Sequence, residues 1–254
     1  MARARRFDLV ICDIDGCLTP EGLEDVDRVA LERIAIYNHR ARTSRDRPEL
    51  TLCSGRPQPF VEALSRLLGI GVPCIAENGV WLYHPATNAY RIDPAITDSD
   101  LDAVARTTAW MRTRYAGSGA AIQPGKTASV SLYHADHRWL VARLDEIRSH
   151  CVAEGFPLRV SMSWYYINCD LVHISKATGI GHLVAELGLA RESLAGIGDT
   201  LGDAAIRERV AFFACPANAD ERLQAMADYV SPHAVAAGVI DILERLTRAT
   251  VGQP

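Results

Sequence analysis

Four groups of acidic and polar residues stand in a fixed order along this 254-residue chain, and together they describe a site for transferring a phosphoryl group. They are Asp13-Ile14-Asp15-Gly16, Ser54-Gly55-Arg56, Lys176 and Gly198-Asp199-Thr200-Leu201-Gly202-Asp203. A phosphate monoester is an anion, and it repels an anionic nucleophile. Brought together without a counter-ion, Asp13, Asp15, Asp199 and Asp203 would repel it as well and raise one another's pKa values. The set makes sense around a bound cation, and several carboxylate oxygens suit Mg²⁺ rather than zinc. With Asp15 protonated, three carboxylates face Mg²⁺ and Lys176, and the site is about neutral before a dianion arrives.

Each residue type has a role in such a site. Asp13 would attack phosphorus and carry a covalent aspartyl-phosphate, dividing hydrolysis into two easier steps. Asp15, two residues on, would protonate the leaving oxygen and then take a proton from the attacking water. Asp199 would complete the metal shell with Asp13 and the backbone carbonyl of Asp15. Asp203 would bind the metal through water or orient its ligands. Ser54 and the Gly55 amide would hydrogen-bond the phosphoryl oxygens, and Lys176 would neutralise charge on the transferring group. Arg56 would bind substrate or form a structural ion pair. Singly, these motifs have plainer readings: a D-x-D-G is often a turn after a strand, and a first-turn lysine is usually solvated. Their joint order carries the functional reading.

The elements that must position them are legible around them. Leu9-Val10-Ile11-Cys12, Leu50-Thr51-Leu52-Cys53 and Leu194-Ala195-Gly196-Ile197 are apolar runs of strand length, each directly before a motif. Buried strands alternating with helical patterns imply a parallel α/β sheet, and such sheets bind ligands beyond the carboxyl ends of their strands. Helical spacing runs from Leu23 to about Ala41, and a second helix opens at Pro57 and ends at Gly69. Cys74-Ile75-Ala76 leads through Asn78-Gly79, a hairpin signal, into Val80–Tyr83. A separate pattern follows: strand Ala89–Ile92, helix Ser99–Tyr115, strand Ser129–Tyr133, helix His137–Ala153, then strands Leu158–Ile167 and Leu171–Ile174. Alternation along the first of those last strands puts Trp164 and Tyr166 on one face and Tyr165 on the other. This stretch reads as an inserted α/β domain, residues 84–174, within a core made of residues 1–83 and 175–254. The core pattern then resumes with a helix from Lys176, the strand before Asp199, helix Ala204–Arg209, strand Ala211–Ala214, helix Ala219–Tyr229 and a last helix near Val239–Leu246.

The motif order resembles the haloacid dehalogenase superfamily of aspartyl-phosphate phosphatases, and more narrowly its Cof-like type IIB hydrolases, from Phe7 to about Leu246. The resemblance implies a Rossmann-like parallel-sheet core with an inserted smaller α/β cap of type IIB, a cap that closes over the catalytic crevice, and a sugar phosphate or phospho-acid as substrate. It also implies that Asn78 stands in the family's Asn-Gly turn near that crevice. Two departures stand out: Cys17 replaces the family's usual Thr, and Gly202 replaces a frequent Asn before the last Asp. Phosphomannomutases share the resemblance, so a phosphomutase is one alternative. A non-catalytic phospholigand-binding protein on the same scaffold is the other.

Composition limits the remaining classes. The formal net charge is −4, and no Lys/Arg block stands out after Arg3-Ala4-Arg5-Arg6, which argues against a nucleic-acid partner. That basic start reads as a solvated, frayed terminus. No apolar stretch is long enough to span a membrane, and the chain reads as cytoplasmic. Seven cysteines without a C-x-x-C spacing read as buried hydrophobes rather than a disulfide framework or zinc site. His134-x-x-His137 with Asp136 reads as a loop or helix start before it reads as a metal site. The oligomeric state is not legible.

Overall fold

The computed structural model describes residues 6–22, 24–163 and 165–248, so Arg3 to Arg5, Leu23 and Trp164 lie outside the described residues. In chain order the elements begin with β1 (Leu9–Cys12), α1 (Arg28–Ser44), β2 (Glu49–Leu52), α2 (Gln58–Leu67), β3 (Cys74–Ala76), β4 (Trp81–His84) and β5 (Ala89–Ile92). They continue with α3 (Asp98–Arg114), β6 (Ala121–Ile122), β7 (Ser129–Tyr133), α4 (His137–Ala153), β8 (Leu158–Ser163) and β9 (Tyr166–Leu171). The last group is α5 (Lys176–Leu187), β10 (Leu194–Ile197), α6 (Ala204–Arg207), β11 (Phe212–Cys215), α7 (Glu221–Gln224), β12 (Tyr229–Val230) and α8 (Val235–Arg248). They form two compact units, one running to Arg91 and resuming at Lys176, the other Ile92–Ser175. The sequence reading begins its inserted domain at about residue 84; the hairpin arms β4 and β5 instead share a sheet with β3.

The first unit is built on a five-stranded sheet in the order β12-β11-β10-β1-β2, parallel throughout. Its strands read as continuous apolar runs because both faces are covered. Val10 and Cys12 point into a core shared with α1, α2 and α8. Leu9 and Ile11 point into a second core with Ile180 and Leu183 of α5, Ile206 of α6 and Leu223 of α7. Helix α1 begins five residues later than its periodicity suggests, because Asp27 caps it: its side chain accepts from the Ala30 N–H. The expected helix from Ala219 to Tyr229 is one turn, α7, and the chain then extends into β12.

The second unit is a four-stranded antiparallel sheet, β6-β7-β9-β8, with α3 and α4 against it. Val130, Leu132, Ile167 and Cys169 are buried. The alternate positions are polar, with Ser131 paired to Asn168 in register. The strand expected over Leu158–Ile167 is two arms of a hairpin. Ser163 pairs with Tyr166 and Tyr165 lies in the turn, so Tyr165 occupies no strand face and the expected alternation there fails. Leu171 ends β9, and no strand runs on to Ile174.

Candidate active site

Strand β1 lies between β2 and β10, and the three end level: Cys12 stands opposite Leu52 on one side and Ile197 on the other. The ladder runs one step further, the Asp13 N–H donating to the Ile197 carbonyl at 3.0 Å and the Cys53 N–H to the Cys12 carbonyl at 2.9 Å. Asp13, Ser54 and Asp199 therefore leave three adjacent strands within two residues of their ends. The carboxylates of Asp13, Asp199 and Asp203 converge there, each offering an oxygen within 4.8 Å of the others, and all three residues are buried.

Two glycines make the convergence possible. Gly16 sits at φ +74°, and a Cβ there would lie 1.8 Å from Asp199 Oδ2, so any side chain would displace the Asp199 carboxylate. A Cβ on Gly198 would meet Asp203 Cβ at 2.3 Å. Asp203 is fully enclosed, and its Oδ2 accepts from the backbone N–H groups of Asp199 and Thr200, both at 3.1 Å, and from Thr200 Oγ1 at 3.3 Å. Asp203 thus shapes the loop that presents Asp199.

Lys176, the first residue of α5, donates from Nζ to Asp13 Oδ1 at 2.8 Å and to Asp203 Oδ1 at 2.6 Å. Burial pushes its ammonium toward deprotonation, but Asp13 and Asp203 outweigh burial and hold it charged. Burial, then Asp203, raises the Asp13 carboxyl, with Lys176 opposing. Burial, then Asp13 and Asp203, pushes Asp199 up to about 9. Fully ionised, three carboxylates against one ammonium would carry a double negative excess, and without a cation protons on Asp13 and Asp199 relieve it. The donors are all carboxylate oxygens, so the residues fit a hard divalent cation.

Asp15 stands apart from that cluster. Arg56 holds it as a fork, Nε donating to Oδ2 at 2.8 Å and to Oδ1 at 3.0 Å, with Nη2 on Oδ1 at 2.5 Å. The ion pair left open for Arg56 is formed. The fork sets a guanidinium directly on the Asp15 carboxyl group. Each partner keeps about a quarter of its side chain exposed, 27% for Asp15 and 26% for Arg56, so the pair is reachable. The Arg56 guanidinium also lies over the Phe60 ring, 5.1 Å from its centroid.

Ser54 is buried, and its Oγ accepts from the Arg56 N–H at 3.1 Å. The Asn78 N–H donates to the Ser54 carbonyl at 2.9 Å. The Asn78 side chain lies against Gly55, where a Cβ would come within 3.1 Å of its Oδ1. The structure thus gathers Ser54, Gly55, Arg56 and Asn78 into one loop pair beside Asp15. Gly202 is exposed, and a Cβ there would meet only Thr200 Oγ1 at 3.4 Å, so the missing Asn leaves no hole.

Sequence reasoning missed Asn218. Its Nδ2 donates to the Gly16 carbonyl at 2.9 Å and its Oδ1 accepts from the Val235 N–H at 2.8 Å, tying the first motif to the start of α8. Its only signal is that it follows the buried run Phe212–Cys215, as the other site residues follow theirs. Cys17 was read as a small buried side chain; its thiol, held protonated by burial, points at Asp199 Oδ1, 3.9 Å away. His134 in the second unit stacks on Trp139, with ring centroids 4.3 Å apart, and its Nδ1 accepts from the Asp136 N–H at 2.9 Å. Asp136 caps α4. The Asp13–Asp199–Asp203 group is the one potential metal cluster among the described residues.

Comparison with known proteins bears on the same reading. The model of the haloacid dehalogenase-like hydrolases matches residues 129–243. A phosphoglycolate phosphatase of Methanosarcina mazei is 24% identical over 241 residues, covering 95% of this chain and 97% of that protein. Another from Thermoplasma volcanium is 28% identical over 232 residues, covering 89% and 92%. A solved haloacid dehalogenase-like hydrolase from Bacteroides thetaiotaomicron has the same fold, with a TM-score of 0.72 at 20% identity over 94% of this chain and 99% of that one. Among the described residues, no helix is long and apolar enough to cross a membrane.

Proposed function

We propose that this haloacid dehalogenase-like phosphoric monoester hydrolase is Mg²⁺-dependent and releases a small sugar or hydroxy acid from its phosphate ester through an aspartyl-phosphate on Asp13. The observation that carries the reading is the setting of Asp13. It is the first residue beyond β1, an inner strand of the sheet, with Lys176 on Oδ1 and two further buried carboxylates close by. Among the described residues nothing donates to its Oδ2, so one oxygen is open for attack. Asp13, Asp199 and the Asp15 carbonyl would hold Mg²⁺, which supplies the charge that lets a phosphate dianion approach the cluster. Asp15, released from Arg56 and protonated from solvent, gives that proton to the ester oxygen as Asp13 attacks phosphorus and the P–O bond to the leaving group breaks. Asp15 then accepts a proton from the water that attacks the phosphorylated Asp13, and free phosphate leaves. Lys176 balances charge on the transferring group, and Ser54 with the Gly55 amide bonds its oxygens. For Asp15 to reach the leaving oxygen it must come out of the Arg56 fork, and the arriving ester offers that guanidinium another anion.

The unit Ile92–Ser175 acts in this reading as the cap that chooses the leaving group. Its hydrogen-bonding groups lie on one sheet face: Ser131 Oγ donates to Asn168 Oδ1 at 2.6 Å, and Asn168 Nδ2 to Ser163 Oγ at 3.3 Å. Arg159 pairs in register with Asp170 on the same side.

The test is phosphate release across a panel of sugar phosphates and phospho-acids with Mg²⁺, phosphoglycolate included because the curated relatives carry that name. Borohydride trapping of the phosphorylated protein accompanies it, the modified residue being located by mass spectrometry. Trapping at Asp13 with steady phosphate release supports the reading. No turnover across the panel would leave a phospholigand-binding protein. A requirement for a bisphosphate activator would make the chain a mutase.

A further inference from the structure

We infer that a cleft between α1 and α8, made of none of the catalytic residues, binds a small organic monoanion: a carboxylate carrying one ring or a short branched chain. The cleft measures about 190 Å³. Its floor is apolar, formed by Ile34 and Tyr37 of α1 and Ile240 and Leu243 of α8, all buried. Its rim is cationic, with Arg33, Arg40 and Arg47 against Glu244. The chain as a whole is net negative, so this excess is local. Four of the eight residues from Arg40 to Arg47 are arginine, a cluster that the reading of the basic N-terminus as the chain's one Lys/Arg block passes over.

The charges on the rim decide the ligand's charge. Arg33 is paired with Glu244, Nη2 to Oε1 at 3.1 Å. Arg47 is paired with Asp46, Nε to Oδ1 at 2.8 Å and Nη2 to Oδ2 at 3.0 Å, and its guanidinium lies over the Tyr37 ring, 5.3 Å from the centroid. Arg40 makes no close ion pair among the described residues and acts only at longer range on Asp46, which Arg47 already pairs, and it lies two helical turns beyond Arg33 on the same stripe of α1. One uncompensated guanidinium above an apolar floor matches one carboxylate on an apolar body. The volume decides the size. It equals about six waters' share of liquid and lies below the roughly 300–1,000 Å³ of sites for drug-sized ligands. A single ring or a short branched chain fits, and a nucleotide does not. Burial of the apolar body supplies the affinity, and Arg40 supplies the orientation and the preference for an anion.

The experiment is calorimetric titration of the intact protein with phenylacetate and with isovalerate, against 2-phenylethanol and inorganic phosphate. Saturable one-to-one binding of a carboxylate is expected, with a Kd on the order of 1 mM for a ligand of about ten atoms. The neutral alcohol and phosphate should bind at least about tenfold more weakly. Arg40→Gln should remove the preference for the acid over the alcohol, and Ile36→Trp should fill the cleft and remove binding. Both positions are exposed, so both variants should fold, and phosphatase activity serves as the check that they have. The inference is overturned if neither carboxylate binds saturably, if phosphate competes with it, or if either variant binds like the parent protein.

Discussion

In the parallel sheet of the first unit, β1 and β10 are buried and apolar along their whole length, and Asp13 and Asp199 follow where the strands stop. In the antiparallel sheet of the second unit, Ser131 and Asn168 lie within β7 and β9, opposite each other on one face. The difference is physical. A parallel strand covered on both faces has no in-strand position where a charged group could be solvated, so its chemistry is confined to the strand end. A sheet covered on one face alternates, and every second residue can be polar. The strand-end arrangement ties each side chain to backbone geometry and suits a reaction that tolerates little misplacement. On the sheet face the groups are held by side-chain bonds to one another and not by a strand end, so a replacement there leaves the backbone in place, which suits selection among substrates.

Replacing groups at the strand ends should therefore cost far more than replacing groups on the sheet face. The largest loss is expected for Asp13→Asn, a fall in kcat of at least about 10⁴-fold, since an amide cannot act as the nucleophile. The same substitution removes one of the crowded carboxylates, so the metal-free variant should unfold at a higher temperature than the parent. Near-normal turnover by this variant would break the comparison at once. Next is Lys176→Ala, expected to weaken transition-state stabilisation by on the order of 3 kcal/mol, read as kcat/KM on an activated aryl phosphate. It should also lower stability markedly, because Asp13 and Asp203 then lose their buried partner.

Arg56→Gln should lower kcat by roughly ten- to a hundredfold, less than the roughly 10²–10⁴-fold of the acid–base group itself because Arg56 acts through Asp15, with KM rising less. Arg56→Lys should recover only part of the loss, because an ammonium cannot make the fork. Rapid-quench measurement of phosphoenzyme formation checks whether the phosphorylation step is the one slowed.

A fourth prediction concerns metal and pH. In the folded, metal-free protein Asp199, raised to about 9, and Asp13 hold protons above the ordinary carboxylate value of 3.8. The folded state then binds more protons than the unfolded chain. This contribution to stability is complete below the ordinary carboxylate range and is lost as pH rises toward 9. A divalent cation relieves the repulsion and competes with those protons. The rise in Tm between chelator and excess Mg²⁺ should accordingly be larger near pH 8.5 than near pH 5.5, and Asp199→Asn should flatten the difference. An equal rise at both pH values would sink the electrostatic account of the cluster.

The smallest effect should come from the sheet face. Asn168→Ala or Arg159→Ala should change the specificity constant for a natural ester by about tenfold, and that for an aryl phosphate by less, since remote binding energy acts only where it is realised. Equal losses on both substrates would mean that the face does not select.

How much could be read in advance follows the same division. The strand-end residues were legible because each follows an apolar run of strand length, and both signals lie within a few adjacent residues. Asp199 and Asp13 could be paired on paper because two parallel strands with motifs at the same end must bring those ends together. The hairpin at Tyr165 was not legible, because an unbroken stretch of strand-forming residues hides the turn at Tyr165. Asn218 was not legible either, because an asparagine in a loop after a strand has many possible uses.

The sequence by itself determined which residues leave the strands, in what order, and that their charges need a cation, since chain-local hydrophobicity and spacing set all three. Tertiary structure alone decided which side chains meet. Arg56 is 41 residues from Asp15, and Asn218 is 202 residues from Gly16, yet each makes a hydrogen bond shorter than 3 Å. Asp203 supports the Asp199 loop, because two backbone amides reach its Oδ2, while it still offers an oxygen to the cluster with Asp13 and Asp199. The cleft beside Arg40 exists only where α1 and α8 pack. Such partnerships are set by how close-packed elements bring distant backbone segments together, and no property of either segment alone specifies them.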